Sequence, residues 1–300
     1  MSVSPPRPSM PHLNALRAFE AAARHNSISL AANELHVTPA AVAQQIKTLE
    51  AWVGDELFKR RAKGVELTPL GASVLDDFSH AFDSLAGAVQ KLRVSANPKE
   101  VRIAALPSIA QLWLSPRLPA IRDAMPDVSI SVTALENPPN LKRESYDLAI
   151  FYGDQPDDKP QEDSKVVICQ DVLIPICAPP IAQKIQNVDD LKGEIFLHDS
   201  TWNDDWSKWL SVASPDRNLN KSGPTFSLYS LALEECKNGA GVLMGHEALV
   251  QPLIDKGEVE APIPIRLELS RYMFFETRTK NAEQSVLGTV MEMLKAQQMF

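Results

Sequence analysis

The sequence predicts a three-part chain: a small helical head carrying a helix-turn-helix and a two-stranded wing, a long connecting helix, and a two-lobed α/β body. Three observations carry that prediction. Two threonine–proline pairs, Thr38-Pro39 and Thr68-Pro69, each open a run with helical apolar spacing. A basic run, Lys59-Arg60-Arg61-Ala62-Lys63, lies between them. Beyond residue 98, strand-like apolar runs alternate with helical ones, the pattern of an α/β fold with a largely parallel sheet.

The chain has 300 residues, enough for roughly two domains. Its 44% hydrophobic and 23% charged content is that of a soluble globular protein. It has no run of about 18 apolar residues, so no membrane partner is expected. Residues 1–11 hold four prolines and no apolar core, which reads as a disordered tail and not a secretory signal. The three cysteines, Cys169, Cys177 and Cys236, are odd in number and lack CxxC spacing. That pattern leads us to expect a reducing cytoplasm, no disulfide framework and no metal site. No cofactor is expected. Net charge is −8, but its distribution matters more than its sum. Residues 1–65 carry +3 and the rest −11, so only the head suits a polyanion.

In the head, residues 12–67, Leu13, Leu16, Phe19, Ala22 and Ala23 predict a first helix over Asn14–His25. Ser27 or Ser29 caps a second helix, which turns at His36-Val37 into a third. Thr38 can accept backbone N–H groups of the first turn, and Pro39 loses nothing at the first helical position. Val42, Ile46 and Leu49 then face inward, leaving Ala40, Ala43, Gln44 and Lys47 outward. Small residues and amides on a short helix suit the DNA major groove, where amides pair with base edges. On this stretch alone an ordinary helical hairpin fits equally well. Trp52, Val53, Leu57 and Phe58 are expected in the core, with Gly54 ending the helix. Lys59 to Leu67 reads as two short strands around a basic turn. Such a turn can simply be solvated, but beside a recognition helix phosphate contact is the better reading.

In the linker, residues 68–98, Leu75, Phe78, Phe82, Leu85, Val89 and Leu92 form an a/d heptad stripe. A helix over 69–93 is about 37 Å long. The stripe can pack on the chain's own body, but a dimer seam is favoured because two-fold operators need two heads. Ser95 to Pro98 ends the helix.

The body is residues 99–300. Strands are expected at 101–106, 128–134, 147–151, 168–178, 195–198, 241–245 and 271–276. Helices are expected from Pro107-Ser108 to Arg122, over 201–211, over 228–237 and over 282–296. The chain crosses near 170 and back near 270, giving lobe I (about 99–169 and 275–300) and lobe II (about 170–274). Ligands bind in crevices between such lobes. Trp202, Trp206 and Trp209 recur at helical spacing, more a packing signal than a ligand box. Trp209 is expected in the core and Trp206 as a lid. His198 is either a structural histidine or a ligand-orienting one. Cys169 and Cys177 invite a redox-sensing alternative, but apolar surroundings favour inert thiols. Gly239 to Gly245 lacks the strand-then-helix context of a nucleotide loop, and no GxSxG, HExxH or P-loop pattern occurs. An enzyme is therefore not expected.

Several motifs in order resemble one family. Leu13-Asn-Ala-Leu-Arg-Ala-Phe-Glu-Ala-Ala-Ala-Arg-His25, Leu57-Phe-Lys-Arg60 and Leu67-Thr-Pro-Leu-Gly71 resemble the head of LysR-type transcriptional regulators. Leu106-Pro-Ser108, Trp113-Leu-Ser-Pro-Arg-Leu118, Asp147-Leu-Ala-Ile-Phe-Tyr-Gly153 and Leu197-His-Asp199 look like the branch that includes the glycine-cleavage activator and the β-lactamase regulators. The resemblance spans residues 12–297. It implies a winged head, a linker-helix dimer, and an effector domain like a type 2 periplasmic binding protein. Such regulators usually form tetramers that bend promoter DNA at inverted repeats and work with RNA polymerase. Carried onto this sequence, Pro39, Ala40, Ala43 and Gln44 read bases, with Lys47 beside them, and Ser27, Thr38, Arg60 and Arg61 touch phosphates. The family usually has serine where Ala43 stands and arginine or histidine where Gln44 stands. Gln44 pairs best with adenine, whereas arginine prefers guanine. The resemblance places Ser108, Ile109, Tyr152, His198, Trp202, Trp206, Phe226 and Ser227 around the effector. Ser108 at a helix start suits an anionic metabolite.

Overall fold

The computed structural model describes residues 10–61, 64–154, 164–215, 222–278 and 285–296. All but the last two residues of the expected tail lie outside them. The chain divides into two compact units, Met1–Lys91 and Leu92–Phe300, with the boundary inside one long helix.

The first unit contains α1 (Leu13–His25), α2 (Ile28–Leu35), α3 (Pro39–Val53), β1 (Phe58–Arg60), β2 (Val65–Leu67) and most of α4 (Pro69–Ala96). Ala15, Ala22, Ala31 and Ala32 are buried, so α1 and α2 cross with no large side chain between them. Phe19 fills the centre, 5.5 Å from the Phe58 ring and 5.7 Å from that of Phe78 on α4. α2 and α3 are each capped by a hydroxyl: Ser27 Oγ accepts from Leu30 N–H and Thr38 Oγ1 from Ala41 N–H. Thr68 Oγ1 does the same for Gly71 N–H at the start of α4. β1 and β2 pair antiparallel, Phe58 opposite Leu67.

Two expectations are corrected here. Trp52 is 56% exposed and Val53 is exposed as well. The chain turns at Gly54 (φ +85°) and returns against Glu50, whose Oε1 accepts from Leu57 and Phe58 N–H. The core therefore closes on Leu49 and Leu57, and the last turn of α3 lies outside it. The α4 stripe also divides. Leu75, Phe78 and Phe82 pack on the head core, whereas Leu85, Val89 and Leu92 are 45%, 59% and 72% exposed. The helix runs to Ala96, since no breaker precedes Pro98.

The second unit begins with the end of α4 and β3 (Glu100–Ala105). There follow α5 (Leu118–Ala124), β4 (Ser129–Ala134), β5 (Leu148–Asp154), β6 (Ser164–Cys177), α6 (Pro179–Ala182), β7 (Phe196–Asp199) and α7 (Asp205–Ala213). The chain ends with β8 (Thr225–Phe226), α8 (Tyr229–Lys237), β9 (Val242–His246), α9 (Glu247–Asp255), β10 (Leu267–Thr277) and α10 (Val286–Ala296). The expected single helix from Ser108 to Arg122 is broken. It passes through a π turn over Ile109–Leu114 and a 3₁₀ turn over Ser115–Arg117 before α5. Pro116 and Pro119 each remove a donor from the i→i−4 ladder, which forces the change of pitch.

The eight strands run in the order β4-β3-β5-β10-β6-β9-β7-β8. Pairing is parallel within β4-β3-β5 and within β9-β7-β8, and antiparallel across β5-β10, β10-β6 and β6-β9. The sheet is thus two parallel halves joined by two crossover strands, not largely parallel throughout. A chain that crosses from one half and returns must run both ways at the junction. Ile103, Trp113, Ile150 and Phe275 centre one core, and Phe196, Trp206, Trp209 and Met244 another. α7 starts at Asp205 and not Thr201, because Asp199 Oδ1 holds the N–H groups of Thr201 and Trp202 in a preceding turn.

Candidate functional site

The head presents its outward face on α3. Pro39, Ala40, Gln44 and Lys47 are exposed and Ala43 is partly so, all on the side opposite buried Val42, Ile46 and Leu49. Ser27 and Thr38 flank this face at the starts of α2 and α3. Each hydroxyl oxygen already accepts a backbone N–H, which leaves its own O–H to donate to a phosphate. On the wing, Arg61 Nε donates to Glu66 Oε2 at 2.5 Å, and both side chains are exposed. That surface pair contributes little and yields readily to a phosphate. The Arg60 side chain, Ala62 and Lys63 lie outside the described residues. The turn before α3 holds His36 at φ +54°, a left-handed conformation without glycine. Val37 N–H closes it by donating to Ala32 O at 3.0 Å.

The second unit carries a narrow, largely filled crevice between residues of both half-sheets. Ser108 and Glu136 line it from the β3–β4 side, and Asp199, Thr201, Trp202 and Tyr229 from the β7–β8 side. The described residues lining it include two carboxylates and no Lys or Arg. A second narrow crevice shares Asp199, Trp202 and Tyr229 and continues to His198, Trp206 and His246. Ser108 Oγ, Asp199 Oδ2 and Tyr152 Oη are buried and make no hydrogen bond. Burial pushes the Asp199 carboxyl up from its ordinary value, against the pull of the Thr201 and Trp202 N–H groups, the Thr201 hydroxyl and the charge of His246. Burial likewise raises the Tyr152 and Tyr229 phenols well above 10.

The structure thus brings Ser108, His198, Trp202 and Trp206 to these crevices but separates the other expected residues. Ile109 is fully buried in the core, because the π turn rotates it inward. Tyr152 lies behind the crevice wall, its ring 6.0 Å from that of Trp202 and 5.9 Å from that of His246. Phe226 packs partly buried on β8, and Ser227 is exposed; neither lines either of these two crevices. Trp206 is not a lid. It is buried, its Nε1 donates to Leu197 O at 3.0 Å, and its ring sits 4.3 Å from Phe196. Trp209 is in the core and donates to Ile265 O.

Sequence reasoning missed a charged network beneath the crevice. Asp171 on β6, Asp205 on α7 and His246 on β9 are each about 1% exposed. His246 Nδ1 lies 3.0 Å from Asp171 Oδ1, and Nε2 lies 3.5 Å from Asp205 Oδ2. Arg271 on β10 reaches Asp171 at 2.6 Å and Asp205 at 3.3 Å. The β6–β10 register shifts between Glu268 and Tyr272, beside Arg271. Burial alone would push Asp171 up, but the charges and hydrogen bonds of His246 and Arg271 outweigh it and hold the carboxyl below its ordinary value. The network ties both crossover strands to the β7–β8 half, and the Trp202 ring rests 3.8 Å from that of His246. The one available sequence signal was charge inside apolar runs, at Asp171 and His246.

Cys169, Cys177 and Cys236 are free thiols, each pushed up to about 12 by burial. A thiol so raised is a poor nucleophile, which weighs against redox sensing. No helix among the described residues is long and apolar enough to cross a membrane.

Two family models match the chain: the bacterial regulatory helix-turn-helix protein of the lysR family over residues 13–72, and the LysR substrate binding domain over residues 96–298. The glycine cleavage system transcriptional activator of Escherichia coli K12 is 33% identical over 258 residues, covering 84% of this chain and 83% of that one. The transcriptional activator AmpR of Rhodobacter capsulatus is 30% identical over 267 residues, covering 89% and 90%. Among solved structures, the full-length AphB N100E variant matches with a TM-score of 0.54 at 14% identity, over 95% of this chain and 98% of that one. The effector domain of AmpR from Pseudomonas aeruginosa matches with a TM-score of 0.54 at 18% identity, over 66% and 94%. Head, body and their order along the chain agree with these relatives, and the chain belongs to the LysR family of bacterial transcriptional regulators.

Proposed function

We propose that two copies, joined through the exposed half of α4, place their α3 helices in successive major grooves of a promoter inverted repeat. Gln44 and the small residues Pro39, Ala40 and Ala43 read base edges. Lys47, Ser27, Thr38, Arg60 and Arg61 hold phosphates. Dimers pair into tetramers that bend the promoter in the cytoplasm and meet RNA polymerase there. A small metabolite in the crevice between the half-sheets switches transcription, and the protein performs no turnover. One observation carries this reading: the same chain bears an exposed α3 face of small residues, an amide and Lys47, and a crevice with unsatisfied buried polar groups. Native structures rarely leave such groups unpaired without a ligand or water to satisfy them.

The test is a footprint of the full chain on the DNA upstream of its own gene. Protection of an inverted repeat supports the reading, and uniform protection without boundaries contradicts it. Ser108→Ala should protect the same repeat but lose the transcriptional response to the metabolite. An unchanged response would remove Ser108 from the effector site.

A further inference from the structure

We propose that the effector carries a protonated amine and that Asp199 is its counter-ion. This rests on the reading of the crevice as the effector site and replaces the anionic metabolite that a serine at a helix start suggests.

Asp199 is 4% exposed, and its two carboxylate oxygens have different surroundings. Oδ1 accepts from Thr201 N–H at 2.8 Å and Trp202 N–H at 3.1 Å, which builds the turn before α7. Oδ2 has no partner. Ser108, 5% exposed, lines the same crevice from the other half-sheet and leaves Oγ without a partner. Glu136, exposed on that side, adds a second carboxylate. The nearby cation is already engaged: Arg271 is bonded to Asp171 and Asp205, and both ring nitrogens of His246 face those same two carboxylates. A buried, half-satisfied carboxylate disfavours a second anion and favours a cation that brings its own donors. An ammonium group supplies three N–H donors, to be met by Asp199 Oδ2, Ser108 Oγ and the Glu136 carboxylate. The rings of Trp202 and Tyr229 complete the wall, and aromatic faces attract cations. A positive group arriving beside Asp199 offsets the effect of burial, which pushes its carboxyl up.

The experiment uses the full chain and matched triplets of probes: an amino acid, the amine left by removing its carboxyl, and the acid left by removing its amino group. Triplets built on alanine, serine and phenylalanine vary the size. Binding is read by thermal shift and calorimetry. Amine-bearing probes should raise the melting temperature and the acids should not. Asp199→Asn keeps the shape and the Oδ1 acceptor but removes the charge, so it should weaken amine binding about tenfold or more. Without ligand, Asp199→Asn should melt at the same temperature or higher, because it removes an unpaired buried charge.

A lower melting temperature for the unliganded variant, or unchanged amine affinity in it, overturns the proposal. If the acids bind and Ser108→Ala abolishes that binding, the crevice is the effector site and the amine assignment is wrong. If binding of every probe survives both Ser108→Ala and Trp202→Ala, the crevice reading itself fails. Silence across all three classes removes both.

Discussion

At the scale of single residues, the turn into α3 shows how local chemistry sets the head. His36 sits at φ +54°, where a side chain costs about 1–2 kcal/mol that glycine avoids. His36→Gly should raise the melting temperature of the head by up to a few degrees, and calorimetry checks it; a fall would mean that the imidazole makes a stabilising contact. Gln44 projects from the exposed face with no cation until Lys47. Gln44→Ala should relax preference at one or two base pairs, by about 1–3 kcal/mol at each, as read by competition between single-base operator variants. Equal loss on every sequence would instead make Gln44 a phosphate contact. The capping threonines, the turn at His36-Val37 and the outward set on α3 were all legible, because they depend on neighbours within one or two helical turns. Trp52 was not. Its exposure depends on Glu50 reaching across to the amides of Leu57 and Phe58, a contact that no period encodes.

At the scale of elements, α4 does two jobs along one stripe. Leu75, Phe78 and Phe82 complete the head core, while Leu85, Val89 and Leu92 stay exposed. This row of large apolar side chains on one helix face is the proposed dimer seam, since such exposed patches are where chains associate. Replacing Leu85, Val89 and Leu92 together with glutamine should convert dimers into monomers in sedimentation equilibrium and leave the melting of the head within about 1 kcal/mol of the parent. Retained dimers would place the seam elsewhere. The heptad spacing announced the stripe but not its division, since spacing does not say which partner each residue meets. The helix after β3 shows a different limit. Its apolar spacing and Pro116 and Pro119 were visible, but their joint outcome, a π turn that buries Ile109 and leaves Ser108 at the crevice, depends on the packing of Trp113 and Leu114 beneath it. Strand runs were legible because their apolar runs match buried strands; antiparallel pairing at the crossover was not, because direction belongs to the path of the whole chain.

At the scale of the whole molecule, Asp171, Asp205, His246 and Arg271 come from four elements up to 100 residues apart, so no local signal joins them. Removing one partner from a buried ionic network strands the others. Asp171→Asn should therefore destabilise the second unit by roughly 3–5 kcal/mol near neutral pH. The folded Asp171 titrates below its unfolded value of about 3.9. Its contribution is complete above that value and is lost as pH falls through the folded one. Urea titrations at pH 7 and at about pH 3 should show the gap between parent and variant narrowing in acid. A constant gap would mean that Asp171 acts through shape and not charge. The acidic body and basic head were readable from composition alone, and they fit a chain that meets DNA at one end.

The most direct test of the central claim is the affinity of the full chain for its protected inverted repeat, and for a scrambled duplex of equal length, across a salt series. The predicted result is tighter binding to the repeat by about a thousandfold or more. Both affinities should fall steeply and linearly in log–log form as phosphate contacts release counterions. Equal affinity for the two duplexes, or affinity that does not change with salt, would contradict the assignment of α3 and the wing as a DNA-reading face.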